Sequence, residues 1–214
     1  MITDNKPELR VTVFSDYICP FCYIGDARLN KLRHEYNLKV NWCFLEIHPE
    51  TPAEGMSVTE LDYTAEQFRD LMQGYYQMAG AEGLKVSKHR YTTNSHRALL
   101  LAEAAKGDGA EVFYRLHNRL FEAYFGEEQN IGDEEVLRQL ADACGIKTKT
   151  VEKAWSDPSY AQRLAQNLAA ARELNVTGTP TYFFTDRALA GAVSLAQLSV
   201  AAKEGLAVQH RVTH

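Results

Sequence analysis

The sequence predicts an α/β fold interrupted by a long helical segment, and three observations lead there. A strand–helix–strand pattern fills residues 11–45. From about residue 60 to 175 the apolar spacing is almost wholly helical. Strand character returns only at Thr181-Tyr182-Phe183-Phe184-Thr185. These boundaries divide the chain into a first half at residues 1–55, an inserted helical domain at 56–174 and a second half at 175–214.

Each element has its own warrant. Val11-Thr12-Val13-Phe14 is β-branched or aromatic throughout and reads as a short buried strand. Pro20 suits the first position of the helix that follows, which carries Ile24, Leu29, Leu32 and Tyr36 at near-helical spacing. Gly25 inside it costs about 1 kcal/mol relative to alanine, so a packing reason is expected. Leu38, Val40, Trp42 and Phe44 alternate with Lys39, Asn41 and Cys43 in a second strand, which reaches Leu45. A βαβ unit of this length implies a parallel pair with a right-handed crossover. His48 to Gly55 is a turn-rich connector. Helices are then expected over Thr64–Gln77, Asn94–Lys106 and Glu111–Tyr124. A fourth runs from an N-cap at Asp133 to Gly145, a short one covers Lys147–Trp155, and a long one opens at Asp157-Pro158 and reaches Leu174. After the returning strand, Asp186-Arg187 turns the chain into a short run at Ala188–Ala192, and a final helix spans Ser194 to about Glu204.

Composition narrows the function classes. Hydrophobic residues at 45% supply a core, yet no apolar run approaches the roughly 20 residues needed to cross a bilayer. Net charge is −5 and the 23 Lys and Arg residues are scattered, so neither nucleic acid nor a membrane is an expected partner. Met1 to Glu8 lack the basic start and apolar stretch of a secretory signal, which gives the expectation of a cytoplasmic protein.

The chemistry lies in Cys19-Pro20-Phe21-Cys22, placed between a strand and a helix. A thiol at the first turn of a helix meets the positive end of the helix dipole and N–H groups without intrahelical partners. Both favour thiolate, and Cys-X-X-Cys thiols in such positions titrate at about 3.5 to 7.5. Cys19 is therefore the expected exposed nucleophile. Cys22, one turn on, is the expected resolving thiol, more buried. Pro20 supplies no N–H and Phe21 no charge, so this intervening pair tunes the site toward a depressed but not extreme Cys19 thiol. The competing use of the spacing is half a zinc site, which needs four ligands. Cys43, Cys144, His34, His48, His89, His96, His117, His210 and His214 are the remaining candidates, and none forms a second close pair. Cys43 and Cys144 stand alone and read as packing residues.

A second segment, Val176-Thr177-Gly178-Thr179-Pro180-Thr181-Tyr182-Phe183-Phe184, sets a proline at the start of an aromatic strand. With it go Phe14 to Gly25 around the cysteine pair, Asn94-Ser95-His96-Arg97-Ala98, Leu120 to Phe125 and Ala171 to Gly178. In their order and separation these segments resemble the DsbA-like thioredoxin superfamily, and within it the FrnE-type branch of cytoplasmic disulfide oxidoreductases. The resemblance implies a thioredoxin-like fold with a helical domain inserted between the βαβ and ββα halves. It implies a thiol–disulfide oxidoreductase in which Cys19 and Cys22 are catalytic. Thr179 and Pro180 then form a cis-proline loop facing the pair, whose backbone binds an extended substrate and whose ring keeps metal and competing donors from the thiolate. Protein thiols and disulfides are the implied partners, with glutathione a further candidate co-substrate. No bound cofactor is implied beyond the redox-active Cys19–Cys22 disulfide, and no metal.

The chain departs from that pattern at Val13, where several thioredoxin-fold oxidoreductases carry a buried acid six residues before the first cysteine. Glu46, at the end of the second strand, is the candidate replacement for proton handling at Cys22. Asn94 is read as the cap of the helix carrying His96 and Arg97, which borders the groove in relatives. Tyr75, Tyr76, Met78, Tyr124 and Phe125 are candidates for its apolar lining. The alternative function is a glutathione-dependent transferase or isomerase of the kappa or hydroxychromene-carboxylate type. Those relatives typically carry serine where Cys19 stands and lack the second cysteine. A binding module or chaperone with a vestigial site is a third reading, and the presence of both thiols weighs against it.

Overall fold

The computed structural model describes residues 6–61, 63–88 and 91–212, apart from the side chains of His210 and Val212. The first strand, β1 (Glu8–Ser15), extends the expected one at both ends and pairs in parallel with β2 (Asn37–Phe44). Between them α1 (Pro20–Lys31) starts at Pro20 as expected and tightens into a 3-10 turn at Leu32–His34. β5 (Thr181–Phe183) then lies antiparallel on the other side of β1, and β6 (Ala188–Ala190) closes the sheet edge. The strand order is β2-β1-β5-β6, so strands from both ends of the chain share one sheet.

Period-two alternation gives this sheet two buried faces. Leu9, Val11, Val13, Trp42, Phe44 and Tyr182 point to the side where Ile24, Leu29 and Leu32 of the α1 segment pack. Phe14, Cys43 and Leu45 point to the other, where Ala171 of α7 (Pro158–Glu173) covers them together with Phe183. Gly25 has its packing reason here. A Cβ at that position would stand 2.0 Å from the Tyr182 hydroxyl oxygen and 3.1 Å from Pro180 Cγ. Only a glycine lets α1 approach β5 this closely.

Among the described residues, six α-helices run between β2 and β5. α2 (Ala65–Glu82) opens with a Thr64–Gln67 capping box and outlasts the expectation by one turn, ending at Gly83. α3 (His96–Ala105) and α4 (Ala110–Phe121) match their expected spans to within two or three residues. The chain then widens into a π-type turn over Glu122–Gly126. α5 (Glu134–Ala143) has the expected cap, with Asp133 accepting from the Val136 N–H at 3.0 Å, and Gly145 follows it at φ 75. α6 (Thr148–Ser156) and α7, capped by Asp157, begin and end close to where the sequence placed them.

Two elements depart from the sequence reading. A two-stranded ribbon pairs β3 (Met56–Ser57) with β4 (Tyr91–Thr92), each too short to show alternation. The last helix, α8 (Leu195–Val212), runs eight residues past the expected stop. Gly205 looks like a terminator in sequence. In the fold it sits inside the helix where a Cβ would stand 2.8 Å from Phe184 Cβ, so its smallness serves close packing on β5.

Candidate active site

Cys19 occupies the N-cap of α1 in an extended conformation, φ −83 and ψ 114, with Pro20 at the first helical position. Its carbonyl accepts from the Cys22 N–H at 3.0 Å, so the tetrapeptide closes one tight turn. All four cysteines are free thiols. Cys22 is 1% exposed, as expected of a resolving thiol. The expectation of an exposed Cys19 is corrected: it is only 4% exposed. Its thiol turns inward under the Gly178–Pro180 loop and donates to the Thr179 carbonyl at 3.4 Å. The Thr179–Pro180 peptide bond is cis.

The two thiols are pushed apart in acidity. Burial raises the Cys19 thiol, but hydrogen bonds to its sulfur from the Cys22 thiol, the Thr179 side chain and the Cys22 main-chain N–H outweigh it. The net direction is below the ordinary cysteine value. Burial drives the Cys22 thiol well above that value, and its hydrogen bond to Cys19 and repulsion by it act in the same direction. Contacts from the Ser15 side chain and the Asp16 main-chain N–H offset this only in part. One thiol is thus set up to attack and the other to stay protonated. Cys43 and Cys144, by contrast, are both raised by burial.

Cys19 lies at the floor of a cleft of about 480 Å³. Ile18, Pro20 and Phe21 form one wall, and Val176 to Thr179 another. Phe68, Leu71 and Met72 of α2, with Tyr124 and Phe125 of the π-type turn, complete an apolar lining. Of the aromatic candidates, Tyr124 and Phe125 line this cleft. Tyr75, Tyr76 and Met78 pack on or within the main core instead. Glu46 lines the cleft too, but its carboxylate is held by His96 Nδ1 at 3.0 Å and by Asn94 Nδ2 at 3.3 Å. That contact raises the His96 pKa. The N-cap of α3 is Ser95 rather than Asn94, although Asn94 Oδ1 does accept from the His96 N–H at 2.8 Å. The Ser95 hydroxyl has turned away to a buried acid.

That acid, Asp16, is the site residue the sequence reading missed. It is fully buried three residues before Cys19, and the Ser95 hydroxyl donates to its carboxylate at 3.0 Å. The N–H groups of Ile18 and Ile47 donate at 3.3 and 2.9 Å. Burial pushes it up to about 6, these three donors hold it down in part, and the charge of Glu46 adds to the rise. A signal existed, since Asp16 is the only charged side chain between Arg10 and Asp26. Val13 itself is buried among apolar groups, opposite Tyr182 in the sheet register.

His117 has a role that zinc spacing rules do not register. It is buried between Tyr17 and Asp26, with Nδ1 2.8 Å from the Tyr17 hydroxyl and Nε2 3.3 Å from Asp26. This network ties the chain just before Cys19 to α1 and α4. Among the described residues no group of three or more His, Cys, Asp or Glu side chains converges on a metal position. His89, His214 and the side chain of His210 lie outside the described residues.

Comparisons with known proteins agree with this architecture. YwbO of Bacillus subtilis (strain 168) is 28% identical over 188 residues, covering 86% of this chain and 90% of its own. A ClpXP adapter protein, SpxH of Shouchella clausii, is 26% identical over 182 residues, and the chain spans only 59% of its length. Among solved structures, the probable DsbA oxidoreductase SCO1869 from Streptomyces coelicolor superposes with a TM-score of 0.81 at 24% identity, over 92% of this chain and 90% of that one. A 2-hydroxychromene-2-carboxylate isomerase gives 0.75 at 21% identity, over 96% and 100%. The cytosolic disulfide reductase DsbM from Pseudomonas aeruginosa, solved with glutathione, gives 0.67 at 16% identity, over 96% and 99%. The fold is thioredoxin-like, and the DSBA-like thioredoxin domain matches residues 10–203, nearly the whole chain, so this protein belongs to that family.

Proposed function

We propose that the protein is a thiol–disulfide oxidoreductase of the FrnE-type cytoplasmic branch, exchanging disulfides with protein substrates through Cys19 and Cys22. The observation that carries this reading is the divergence of the two thiols, one lowered and one raised, at the floor of an apolar cleft. In the reducing direction the Cys19 thiolate attacks a substrate disulfide, forming a mixed disulfide and releasing one substrate thiolate. Cys22 then attacks the Cys19 sulfur. The Cys19–Cys22 disulfide forms, the second substrate sulfur leaves, and the Cys22 proton goes to it. Two electrons pass from the dithiol to the substrate, and oxidation is the same path reversed. Thr179 stands in the wall beside Cys19 against which an extended substrate would lie, with Pro20 and Phe21 opposite, and Pro180 behind it sets the direction of the Thr179 backbone through the cis bond. Glutathione is a small thiol able to enter the same path as co-substrate.

The test is a glutathione redox titration and an insulin-reduction assay on the protein and its single variants. Cys19→Ser should abolish exchange, and Cys22→Ser should accumulate a mixed disulfide that dithiothreitol releases. Full exchange by Cys19→Ser would overturn the mechanism. A glutathione-dependent isomerisation that survives Cys22→Ser would favour the isomerase reading instead.

A further inference from the structure

Asp16 stands where three parts of the site meet. Its side chain receives the Ile18 N–H from the turn before Cys19, the Ile47 N–H from the segment after β2, and the Ser95 hydroxyl from the start of α3. Its carbonyl accepts from the Cys19 N–H at 3.3 Å, and its own N–H faces the Cys22 sulfur. The residue therefore touches the cysteine turn at the Cys19 main chain and at the Cys22 sulfur, and ties it to the inserted helices. No lysine or arginine side chain is bonded to it among the described residues. A negative charge here is buried, held only by neutral donors and placed against a site that must itself become negative.

We infer that Asp16 is the positioning residue of the cysteine pair: its carboxylate fixes the Cys19 turn against β2 and α3, and its charge opposes the Cys19 thiolate. The inference rests on the oxidoreductase reading and adds a regulator to it. Several other titratable groups face Asp16. Cys19 and Tyr17 belong to its own segment, Glu46 follows β2, and Tyr124 lies on the π-type turn. His96, beside Ser95, is engaged by Glu46 rather than by Asp16. When Asp16 is protonated its repulsion of the thiolate disappears, so Cys19 is more acidic in the protonated state. Ionisation of Asp16 on going to neutral pH then makes the thiolate harder to form. The buried acid missing at Val13 is replaced by one on the adjoining loop, coupled to the attacking thiol.

The experiment follows the rate of Cys19 alkylation by iodoacetamide against pH, in the Cys43→Ser/Cys144→Ser background, with the same protein's glutathione equilibrium as a second readout. The starting protein should show an inflection close to pH 6 besides the thiol's own titration. Asp16→Asn keeps the shape and removes the charge. It should erase that inflection, move the thiol midpoint down by about one pH unit and shift the glutathione equilibrium about tenfold toward the dithiol. Ser95→Ala removes one donor and keeps the charge, so it should move the inflection up. A folded Asp16→Asn protein with an unchanged Cys19 profile and equilibrium would overturn the inference, while its continued exchange would leave the oxidoreductase reading standing. If Asp16→Asn does not fold, an unmoved inflection in Ser95→Ala overturns it equally.

Discussion

Asp16 and Gly25 show how far single residues carry the argument. An aspartate with an ordinary value of 3.8 that is pushed up to about 6 by burial costs the folded state free energy once ionised. Below pH 3.8 it is protonated whether folded or not. Between 3.8 and 6 the folded protein keeps a proton that the unfolded chain has released, so this residue's contribution to stability falls as pH rises. Above pH 6 the loss is complete, at about 3 kcal/mol. The difference in urea-unfolding free energy between the protein and Asp16→Asn should therefore slope across pH 4 to 6 and be flat above it. A difference that stayed flat throughout would show that Asp16 titrates normally. Gly25 makes a steric prediction. Its Cβ would fall on the Tyr182 hydroxyl oxygen, whose ring is buried and cannot swing clear. Gly25→Ala should cost about 1–3 kcal/mol in spite of alanine's better helix propensity, measured by chemical denaturation. A stabilised Gly25→Ala protein would contradict the packing described.

Among the elements, those with local signals were the most legible. α5 and α7 carry Asp133 and Asp157 at their N-caps, and an N-cap side chain needs no tertiary partner to act. α1 begins at Pro20 for an equally local reason. Asp133→Ala should destabilise the protein by about 1 kcal/mol through loss of the bond to the Val136 N–H, seen as a lower urea midpoint with an unchanged slope. The β3–β4 ribbon has no such signal, since Met56-Ser57 and Tyr91-Thr92 are too short for a period and meet across a long stretch of chain. α8 runs past the stop expected near Glu204 because Gly205, a residue type that often ends helices, packs against Phe184 instead. The widening at Glu122–Gly126 is equally silent in sequence, yet it is what places Tyr124 and Phe125 in the cleft.

On the scale of the whole molecule, the helices inserted between β2 and β5 are fastened back to the sheet region by Arg28. Its guanidinium meets Glu82 at the end of α2 at 2.7 Å and also donates to the carbonyls of Ala192 and Val193, before α8. Both side chains are largely buried, and Lys31 Nζ also meets Glu82 at 2.7 Å, so losing Arg28 leaves Glu82 with one cation and strips the Ala192 and Val193 carbonyls of their donor. Arg28→Met should cost about 1–3 kcal/mol, since Lys31 still pairs with Glu82, and the cost should be smaller when Glu82→Gln is already present. Denaturation of the two single variants and the double variant measures this, and additive costs would show that Arg28 and Glu82 are not coupled. The sequence by itself determined the order of the four-stranded sheet's strands and of the α-helices along the chain, the family's two motifs and the pair Cys19 and Cys22, because alternation, caps and a close cysteine spacing are local properties. Only the tertiary structure decided that Cys19 is covered by the Thr179 loop, that Glu46 is held by His96 and Asn94, and that Asp16 is the acid against the thiols. Burial and hydrogen-bond partners set those features, and both come from segments separated by tens of residues in the chain.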